Sequence, residues 1–416
     1  MRKLLAVTSL TGLLTLIKMA AGFLVGKVVA IYIGPSGLAM LGQLQSCLTI
    51  LNGMVNSPVG SGIVRFTAQH NTHGYENCIP WWRASILWVL FISILLIVSV
   101  FFLGSSVSLW LFNTNEYTAI LYVTAIALPI TAIGTLINSV INGQQQYRRF
   151  VFIGIMSVTV STSVMIFLII NYRISGALLA VALQNGLIGV IAIILSLKSP
   201  WFKLKFWLGR TSRTHLKDIA GYIAMAISSA ICMPVALLVI RKILIHYTGW
   251  DSTGQWQAVW KISEAYLAVV TLALGTYFLP KLAILHEAKD IKKEIFKTAQ
   301  FIMPLVAAMG LVIFISKDFI ISLLFTEEFS QARKLFAYQI VGDFIKILSW
   351  LFAYPMLSKG KVKWYVMSEI FSAVTFITLG AILIKNFGSK GAVIAYMFNY
   401  LIYLIFIMAN FKRIIK

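Results

Sequence analysis

Charged residues are scarce in this chain. Only 12% of its 416 residues are Asp, Glu, Lys or Arg, whereas 59% are hydrophobic. An ordinary soluble domain is about a quarter charged. So little charge cannot cover a soluble globule, which excludes a cytosolic enzyme, a secreted disulfide scaffold and a disordered chain. With a mean hydropathy of +0.88, the chain is predicted to be an all-α integral membrane protein.

Acidic residues are the rarer charged type, with 13 Asp and Glu against 35 Lys and Arg, a formal net charge of +22. In a soluble protein this excess would indicate nucleic-acid binding. Here the basic residues lie mostly between apolar runs, where loop charge sets orientation in a membrane. We therefore expect no nucleic-acid partner.

Several chemical motifs are missing. The three cysteines are an odd number without metal-ligand spacing, so neither a disulfide framework nor a metal site is expected. The sequence has no Gly-Lys-Ser or Gly-Lys-Thr phosphate loop. The predicted outer loops are short and carry neither a catalytic carboxylate pair nor a Ser/His arrangement. We predict no cofactor, no metal and no catalytic residue, and a protein that is not an enzyme.

Apolar runs are abundant, and each membrane helix needs about 20 such residues. We predict twelve spans, at residues 4–33, 38–66, 84–104, 119–141, 150–171, 175–197, 218–246, 254–279, 298–316, 333–357, 364–385 and 388–410. The first run follows a basic start like that of a signal peptide. It is too long for one and lacks a cleavage site, so we interpret it as an uncleaved helix.

The basic residues test this topology. With the N-terminus inside, 23 of them fall on the inner side and eight on the outer side. Basic residues near a span end are counted with the adjoining side, and four lie well inside spans: Lys18, Lys27, Lys261 and Lys346. An excess on the inner side is what the positive-inside rule requires. Both termini are therefore predicted to be cytoplasmic.

An internal repeat indicates two halves. Residues 27–34 and 242–249 share the pattern Lys, four residues, Tyr, one residue, Gly, at an offset of 215 residues. Six spans separate them, so the halves have the same orientation, and a substrate site is expected between them. We predict six-helix lobes at 1–198 and 218–416, joined by a basic cytoplasmic linker at 199–217.

Charges inside the spans are expensive unless they pair or face water, so each is a functional hypothesis. Lys18 lies near the middle of its run with no acidic residue within two turns. Lys27, Arg65 and Lys242 lie nearer span ends. The alternative for all four is a side chain that reaches to the membrane interface. Nine residues separate Lys18 from Lys27, which places them on opposite sides of a straight helix unless it bends.

In the second half, Lys261 and Glu264 are three residues apart, as are Asp343 and Lys346, so each pair can meet on one helix face. Glu369 has no charged residue within four positions and is a candidate proton site. One face of the tenth span carries a stripe of polar and aromatic side chains: Gln339, Asp343, Lys346 and Trp350. Helix–helix hydrogen bonding is the alternative interpretation of such a stripe.

Most of the in-span charges in the first half, and at the head of the second, are positive. A cavity of this sign favours an anionic ligand, and Lys and Arg suit phosphate oxygens. The depth of these charges in the membrane indicates that the anion is attached to a lipid.

A set of short motifs extends over essentially the whole chain and is densest from Trp250 to Leu267. It comprises Gly26-Lys27-Val28-Val29-Ala30, Gly34-Pro35-Ser36-Gly37, Trp250-Asp251, Gly254, Trp256-Gln257, Ile262-Ser263-Glu264-Ala265-Tyr266-Leu267, Leu335-Phe336-Ala337, Val341-Gly342-Asp343 and Lys346. This set resembles the Wzx-type polysaccharide exporters, the flippases of O-antigen and enterobacterial common antigen. They are distant relatives of the multidrug and toxin extrusion (MATE) transporters.

The resemblance implies twelve helices in two parallel six-helix lobes around a central cationic cavity, a MATE-like fold. It further implies movement of an undecaprenyl-diphosphate-linked oligosaccharide from the cytoplasmic to the periplasmic leaflet of the inner membrane by alternating access. The implied partners are this substrate, membrane lipids and other polysaccharide-assembly membrane proteins.

Carried onto this sequence, the resemblance implies cavity cations and a polar network in the second lobe. Together with the other in-span charges, the predicted substrate-binding residues are Lys18, Lys27, Arg65, Lys242, Lys261 and Lys346. The predicted ion-coupling residues are Glu264, Asp343 and Glu369. The coupling ion and the glycan stay open.

Two other functions are compatible with a polytopic chain. An ion-coupled exporter of small amphipathic compounds could share the fold, but such exporters often carry cations and favour acidic cavities. An enzyme or assembly partner of polysaccharide synthesis would be supported by long outer loops with paired carboxylates, which this sequence does not have.

Overall fold

Every regular element is helical in the computed structural model, which describes residues 2–71, 74–285 and 287–415. Lys416, one of the predicted inner basic residues, lies outside these ranges. The helices are α1 (Arg2–Tyr32), α2 (Gly34–Asn56), α3 (Ser61–His70), α4 (Ile79–Phe112), α5 (Thr118–Gly143), α6 (Tyr147–Ser196), α7 (Leu204–Trp207), α8 (Arg213–Ala273), α9 (Leu279–Ile284), α10 (Ala288–Ile315), α11 (Lys317–Leu324), α12 (Phe336–Ser358) and α13 (Val362–Ile415).

Shorter helical segments connect some of these elements: Ser57–Val59, Tyr75–Cys78 and Glu327–Leu335 are 3₁₀-helical and Leu274–Phe278 is π-helical. Within the described ranges, nine helical stretches are long and apolar enough to cross a membrane. The all-helical, multi-pass membrane class predicted from the sequence is therefore confirmed.

Three of the long helices are each broken by one residue outside the helical region of backbone angles. These are Arg173 in α6 (φ 52°, ψ −128°), Gly249 in α8 (φ 79°, ψ 175°) and Gly388 in α13 (φ 57°, ψ −137°). The sequence predicts an interruption in each of these runs. Arg173 and Gly249 fall inside the predicted gaps, and Gly388 is one residue beyond its gap.

The second predicted span, 38–66, differs from the structure. The chain forms α2, a 3₁₀ turn over Ser57–Val59 and then α3, with Gly60 between the turn and α3. Pro58 explains the interruption, because proline has no backbone N–H to donate and its ring clashes with the preceding turn. Hydropathy alone does not predict this break, because residues 38–66 stay largely apolar on both sides of Pro58.

The chain divides into two compact units. The first contains the described residues of 1–32 and 43–231, and the second contains those of 33–42 and 232–416. In the first unit α5 and α6 approach closely at Gly134 and Gly189. A Cβ on Gly134 would lie 2.4 Å from the Cα of Gly189, so neither position accepts a side chain.

The aromatic residues of the segment after α6 are part of the core of the first unit. Trp201 and Trp207 are buried. The Trp207 ring stacks on Trp82 with 4.9 Å between centroids, and the indole N–H of Trp82 donates to Thr67 Oγ1 at 3.0 Å. These contacts attach the segment to α4, and α4 to α3.

In the second unit, α12 packs on α13 where Gly342 faces Tyr396. A Cβ on Gly342 would lie 2.5 Å from Tyr396 Cδ1, so only glycine leaves room for that ring. The next residue of α12 is Asp343, and the close approach therefore brings the Tyr396 hydroxyl to the Asp343 carboxylate.

The repeat seen in the sequence has the same backbone geometry at both copies. Gly34 follows the end of α1 with φ 80°, and Gly249 breaks α8 with φ 79°. Both angles lie in the left-handed region that favours glycine. The repeated glycine therefore marks the same sharp turn between two helical segments.

A second repeat, at the same offset of 215 residues, relates the breaks at Arg173 and Gly388. A Cβ on Gly176 or on Gly391 would lie 2.0 or 2.1 Å from the carbonyl oxygen of the residue eight positions earlier. The two hairpins thus close over a glycine at equivalent positions.

The hydrogen bonding of these hairpins repeats as well. The side-chain amide of Asn171 donates to the carbonyl four residues earlier at 2.7 Å, and that of Asn386 does the same at 3.0 Å. The two asparagines are again 215 residues apart. The halves of the chain therefore share a structural motif that extends beyond the eight residues recognised from the sequence.

Candidate functional site

A cavity of about 230 Å³ lies within the first unit. It is partly open and lies among α1, α3, α5 and α6. Its polar lining consists of Lys18, Thr135, Asn138, Ser139, Asn142 and Ser157. Among the described lining residues there is no acidic side chain, and the Lys18 ammonium makes no hydrogen bond or ion pair to the described part of the protein. The cavity therefore presents one positive charge and several neutral polar groups in a wall that is otherwise apolar, formed by Leu14, Val64, Phe150, Ile153, Val158 and Ile188.

The carboxamides of this cavity come from one face of α5. Asn138 and Asn142 are four residues apart, so their side chains project to the same side of the helix. Neither side chain hydrogen-bonds to another described residue. Ser157, from α6, is 2% exposed, and its hydroxyl has no partner among the residues that the structure describes. Three hydrogen-bonding side chains thus face the cavity beside Lys18.

The other predicted cations of the first half do not line this cavity. Lys27 is half-buried on α1, which continues unbroken from Arg2 to Tyr32, so Lys18 and Lys27 point to opposite sides. Arg65 is exposed on α3, and its guanidinium donates to the Tyr222 hydroxyl at 2.5 Å. The structure thus does not bring Lys18, Lys27 and Arg65 to one point within the unit.

In the second unit, the fully buried carboxylate of Asp343 is surrounded by four donors. It accepts hydrogen bonds from Ser263 at 2.7 Å, Tyr266 at 2.5 Å, Tyr396 at 2.7 Å and Gln339 at 3.2 Å. These donors come from α8, α12 and α13. Hydrogen bonds to a carboxylate are stronger than those between neutral groups, so this cluster ties three helices together.

Lys346 lies one turn further along α12, above aromatic rings. Its ammonium is 4.9 Å from the ring centroid of Trp350, 5.5 Å from that of Tyr400 and 5.8 Å from that of Tyr396. It does not form the predicted direct ion pair with Asp343 within the described ranges. The polar stripe of this helix is therefore used for helix–helix hydrogen bonding and cation–π contacts.

The predicted pair Lys261 and Glu264 is also not in direct contact. Lys261 is half-buried and Glu264 is exposed on α8, and the structure gives them no N–O distance within 4.0 Å in its described part. Glu369 is half-buried on α13 and lines a second cavity of about 170 Å³ in this unit, whose other lining is mostly aromatic.

Arg241 is a buried cation to which the sequence analysis assigned no role. It is 3% exposed, its Nε donates to Gln257 Oε1 at 2.8 Å, and its guanidinium lies 5.6 Å from the Trp256 ring centroid. Its neighbour Lys242, predicted to bind substrate, is half-buried. A Cβ on Gly42 would lie 2.9 Å from Arg241 Nε, so glycine there leaves room for the guanidinium.

Sequence reasoning gave no role to the neutral residues of the two sites, apart from placing Gln339 in a polar stripe and Ser263 and Tyr266 in a family motif. Asn138 and Asn142 have helical spacing, but the predicted fourth span ends at 141, before the second of them. Tyr266 follows Ser263 by three residues and so shares its helix face. No sequence signal points to Tyr396, because its contact with Asp343 depends on how closely α12 and α13 pack.

Comparison with known proteins places the chain in a family. A family model described as "Polysaccharide biosynthesis protein" matches residues 33–334. The lipid III flippase of Escherichia coli (strain K12) is 29% identical over 392 residues, covering 94% of this chain and 93% of that protein.

Two solved structures share the fold. An inward-facing MATE family multidrug resistance transporter of the MOP superfamily has a TM-score of 0.79 at 13% identity, over 95% of each chain. The lipid II flippase MurJ, in an inward closed conformation, has a TM-score of 0.74 at 14% identity, over 98% of this chain and 87% of that chain.

The curated relative is a flippase, and together with the family match it confirms the prediction that the chain is not an enzyme. The resemblance to the Wzx-type exporters with a MATE-like fold is confirmed by the family match and the flippase relative together. Because the matched segment is most of the chain, the protein belongs to the polysaccharide biosynthesis protein family.

Proposed function

We propose that this protein is a flippase for undecaprenyl-diphosphate-linked oligosaccharides. It moves the repeat unit of O-antigen or a related surface polysaccharide from the cytoplasmic to the periplasmic leaflet of the bacterial inner membrane. The observation that carries the proposal is the similarity to a lipid III flippase over 94% of the chain, with Lys18 lining a cavity that has no acidic side chain among its described lining residues.

The proposed topology has twelve spans, with both termini in the cytoplasm. The breaks at Arg173, Gly249 and Gly388 support it, because each would let one long helix turn and cross the membrane twice. The repeated hairpins support two parallel lobes, at 1–198 and 218–416, linked by the basic segment 199–217.

In the proposed mechanism, the lobes alternate between inward-open and outward-open states while the lipid tail stays in the bilayer. Cations meet the diphosphate or acidic sugars of the substrate: Lys18, Lys27, Arg65, Lys242, Lys261 and Lys346. An ion gradient supplies the driving force, since the sequence has no nucleotide-binding loop. The candidate coupling residues are Glu264, Asp343 and Glu369.

The donors around Asp343 indicate which coupling residue to test first. Asp343 is already satisfied by four hydrogen bonds, whereas Glu369 lines a cavity through which an ion could reach it. We therefore rank Glu369 above Asp343 for coupling. We expect flipping into vesicles by the wild type to depend on a proton or sodium gradient. In Glu369→Gln, flipping should no longer depend on that gradient.

Complementation tests the function itself. The chain is expressed in a bacterium that lacks its own flippase and carries the glycan genes of the source organism. Restored surface polymer, together with loss of the accumulated lipid-linked intermediate, is expected. If the intermediate persists although the protein is inserted in the membrane, the proposal fails, and export of small amphipathic compounds on the same fold becomes the better explanation.

A further inference from the structure

The cavity in the first unit offers a ligand several hydrogen-bonding side chains in addition to the Lys18 ammonium. Besides Lys18, it has the carboxamides of Asn138 and Asn142 and the buried hydroxyl of Ser157. We propose that this cavity binds one sugar ring carrying an anionic group, with the two asparagines and Ser157 as specificity-determining residues. This inference rests on the proposed function, because it assigns part of the same substrate to these residues.

The residue types favour a sugar over a bare anion. A carboxamide offers two donors and one acceptor group, which suits the vicinal hydroxyls or acylamino groups of a sugar. The Lys18 ammonium is a compact point charge that suits a carboxylate or phosphate. A diphosphate bound by itself would favour several converging cations, and the described lining supplies one.

The absence of intramolecular partners indicates that these groups are available to a ligand. Buried polar groups are nearly always hydrogen-bonded, and those that are not require an explanation. The Ser157 hydroxyl has no partner among the described residues although the side chain is 2% exposed. The Asn138 and Asn142 side chains make no hydrogen bond within the described ranges. The hydroxyls of a sugar in the cavity would supply partners for these groups.

The size of the cavity limits the ligand. An engineered cavity of about 150 Å³ holds one benzene molecule, a ring of six carbon atoms, and this cavity of about 230 Å³ is larger. This is the scale of one sugar ring. The rest of an oligosaccharide would have to lie outside the cavity, through its open side.

Saturation-transfer NMR on the purified full-length protein tests the proposal without requiring transport. The probes are glucuronate, glucose 1-phosphate and neutral glucose. Binding of glucuronate would identify an acidic sugar of the glycan as the ligand source, and binding of glucose 1-phosphate would identify the sugar next to the carrier phosphate. We expect at least one of these anionic probes to give a stronger signal than glucose.

Variants of Asn138 and Asn142 test whether the saturation-transfer signal of an anionic probe comes from this cavity. The double variant Asn138→Ala/Asn142→Ala is expected to reduce it about fivefold or more, as two hydrogen bonds are lost. Asn115→Ala, an exposed asparagine between α4 and α5, is the matched control and should leave it unchanged. If the double variant does not fold, as judged by thermal unfolding, each single variant is expected to reduce the signal about twofold or more.

Two results would overturn the inference. One is an anionic-sugar signal that is as strong in the folded asparagine variants as in the wild type. The other is glucose binding as strongly as both anionic probes. Because soluble sugars are used, failed complementation alongside an asparagine-dependent signal would refute the flippase proposal and leave the sugar site standing.

Discussion

Lys18 in the first unit and Asp343 in the second are both charged residues within apolar helices, yet their surroundings are opposite. Lys18 lines a partly open cavity and makes no hydrogen bond or ion pair to the described residues. Asp343 is fully buried and accepts hydrogen bonds from four side chains. The first charge is available to a ligand, and the second is committed to holding α8, α12 and α13 together.

The difference distinguishes two roles that a charged residue inside a membrane helix can have. Such a charge is a functional hypothesis by default, but its partners decide whether it serves a ligand or the fold. Lys346 is intermediate in this respect, because aromatic rings surround its ammonium but no described residue forms an ion pair with it. Variants of these residues should therefore separate stability from transport.

The largest loss of stability is expected for Asp343→Ala. It leaves Ser263, Tyr266 and Tyr396 with buried hydroxyls that have lost their acceptor, which should cost about 3 kcal/mol. Thermal unfolding of the purified protein measures this, with Asp251→Ala, an exposed acid on α8, as the control. Unfolding of Asp343→Ala at the wild-type temperature would show that the cluster is not a structural tie.

The repeated hairpins should be sensitive to the same substitution in both halves. In Gly176→Ala and Gly391→Ala the new methyl group would meet a backbone carbonyl oxygen, so each should cost about 2 kcal/mol through overpacking. Gly22→Ala, with nothing within 4 Å of its Cβ position, is the control and should not destabilise. Clearly unequal effects at Gly176 and Gly391 would contradict the equivalence of the hairpins.

A smaller loss is expected for Lys346→Met, which keeps the side-chain length and removes the charge. Losing the cation–π contacts with Trp350, Tyr396 and Tyr400 should cost about 1 kcal/mol. The same thermal unfolding assay measures it, with Lys390→Met, an exposed lysine on α13, as the control. A stabilised Lys346→Met variant would mean that burial of the ammonium outweighs its ring contacts.

The smallest effect on stability is expected for Lys18→Ala. The side chain has no described partner to lose, so unfolding should shift by less than about 0.5 kcal/mol. A large destabilisation would indicate that Lys18 supports the fold, and the contrast with Asp343 would disappear.

Much of the fold was predictable because hydropathy and backbone breakers act locally. The breaks near Arg173 and Gly249 follow from short polar gaps between apolar runs. The interruption at Pro58 was missed because the run stays apolar, although the loss of a backbone donor was readable from the residue itself.

The site was predictable only in part. The exposed position of Lys18 could be expected because a mid-span charge requires water or a partner. The burial of Arg241 was not predicted, since it depends on Gln257, Trp256 and the space left by Gly42. Such contacts join distant parts of the chain, and their position is set by helix packing that a single sequence does not encode locally.

The most direct test of the central claim is complementation by Lys18→Ala in the flippase-deficient strain, beside Lys390→Ala as the matched surface control. Membrane levels and unfolding temperatures are measured for both. We predict that Lys18→Ala is inserted and as stable as the wild type but restores no surface polymer, whereas Lys390→Ala restores it fully. Full restoration by Lys18→Ala would contradict the assignment of this lysine to the substrate site.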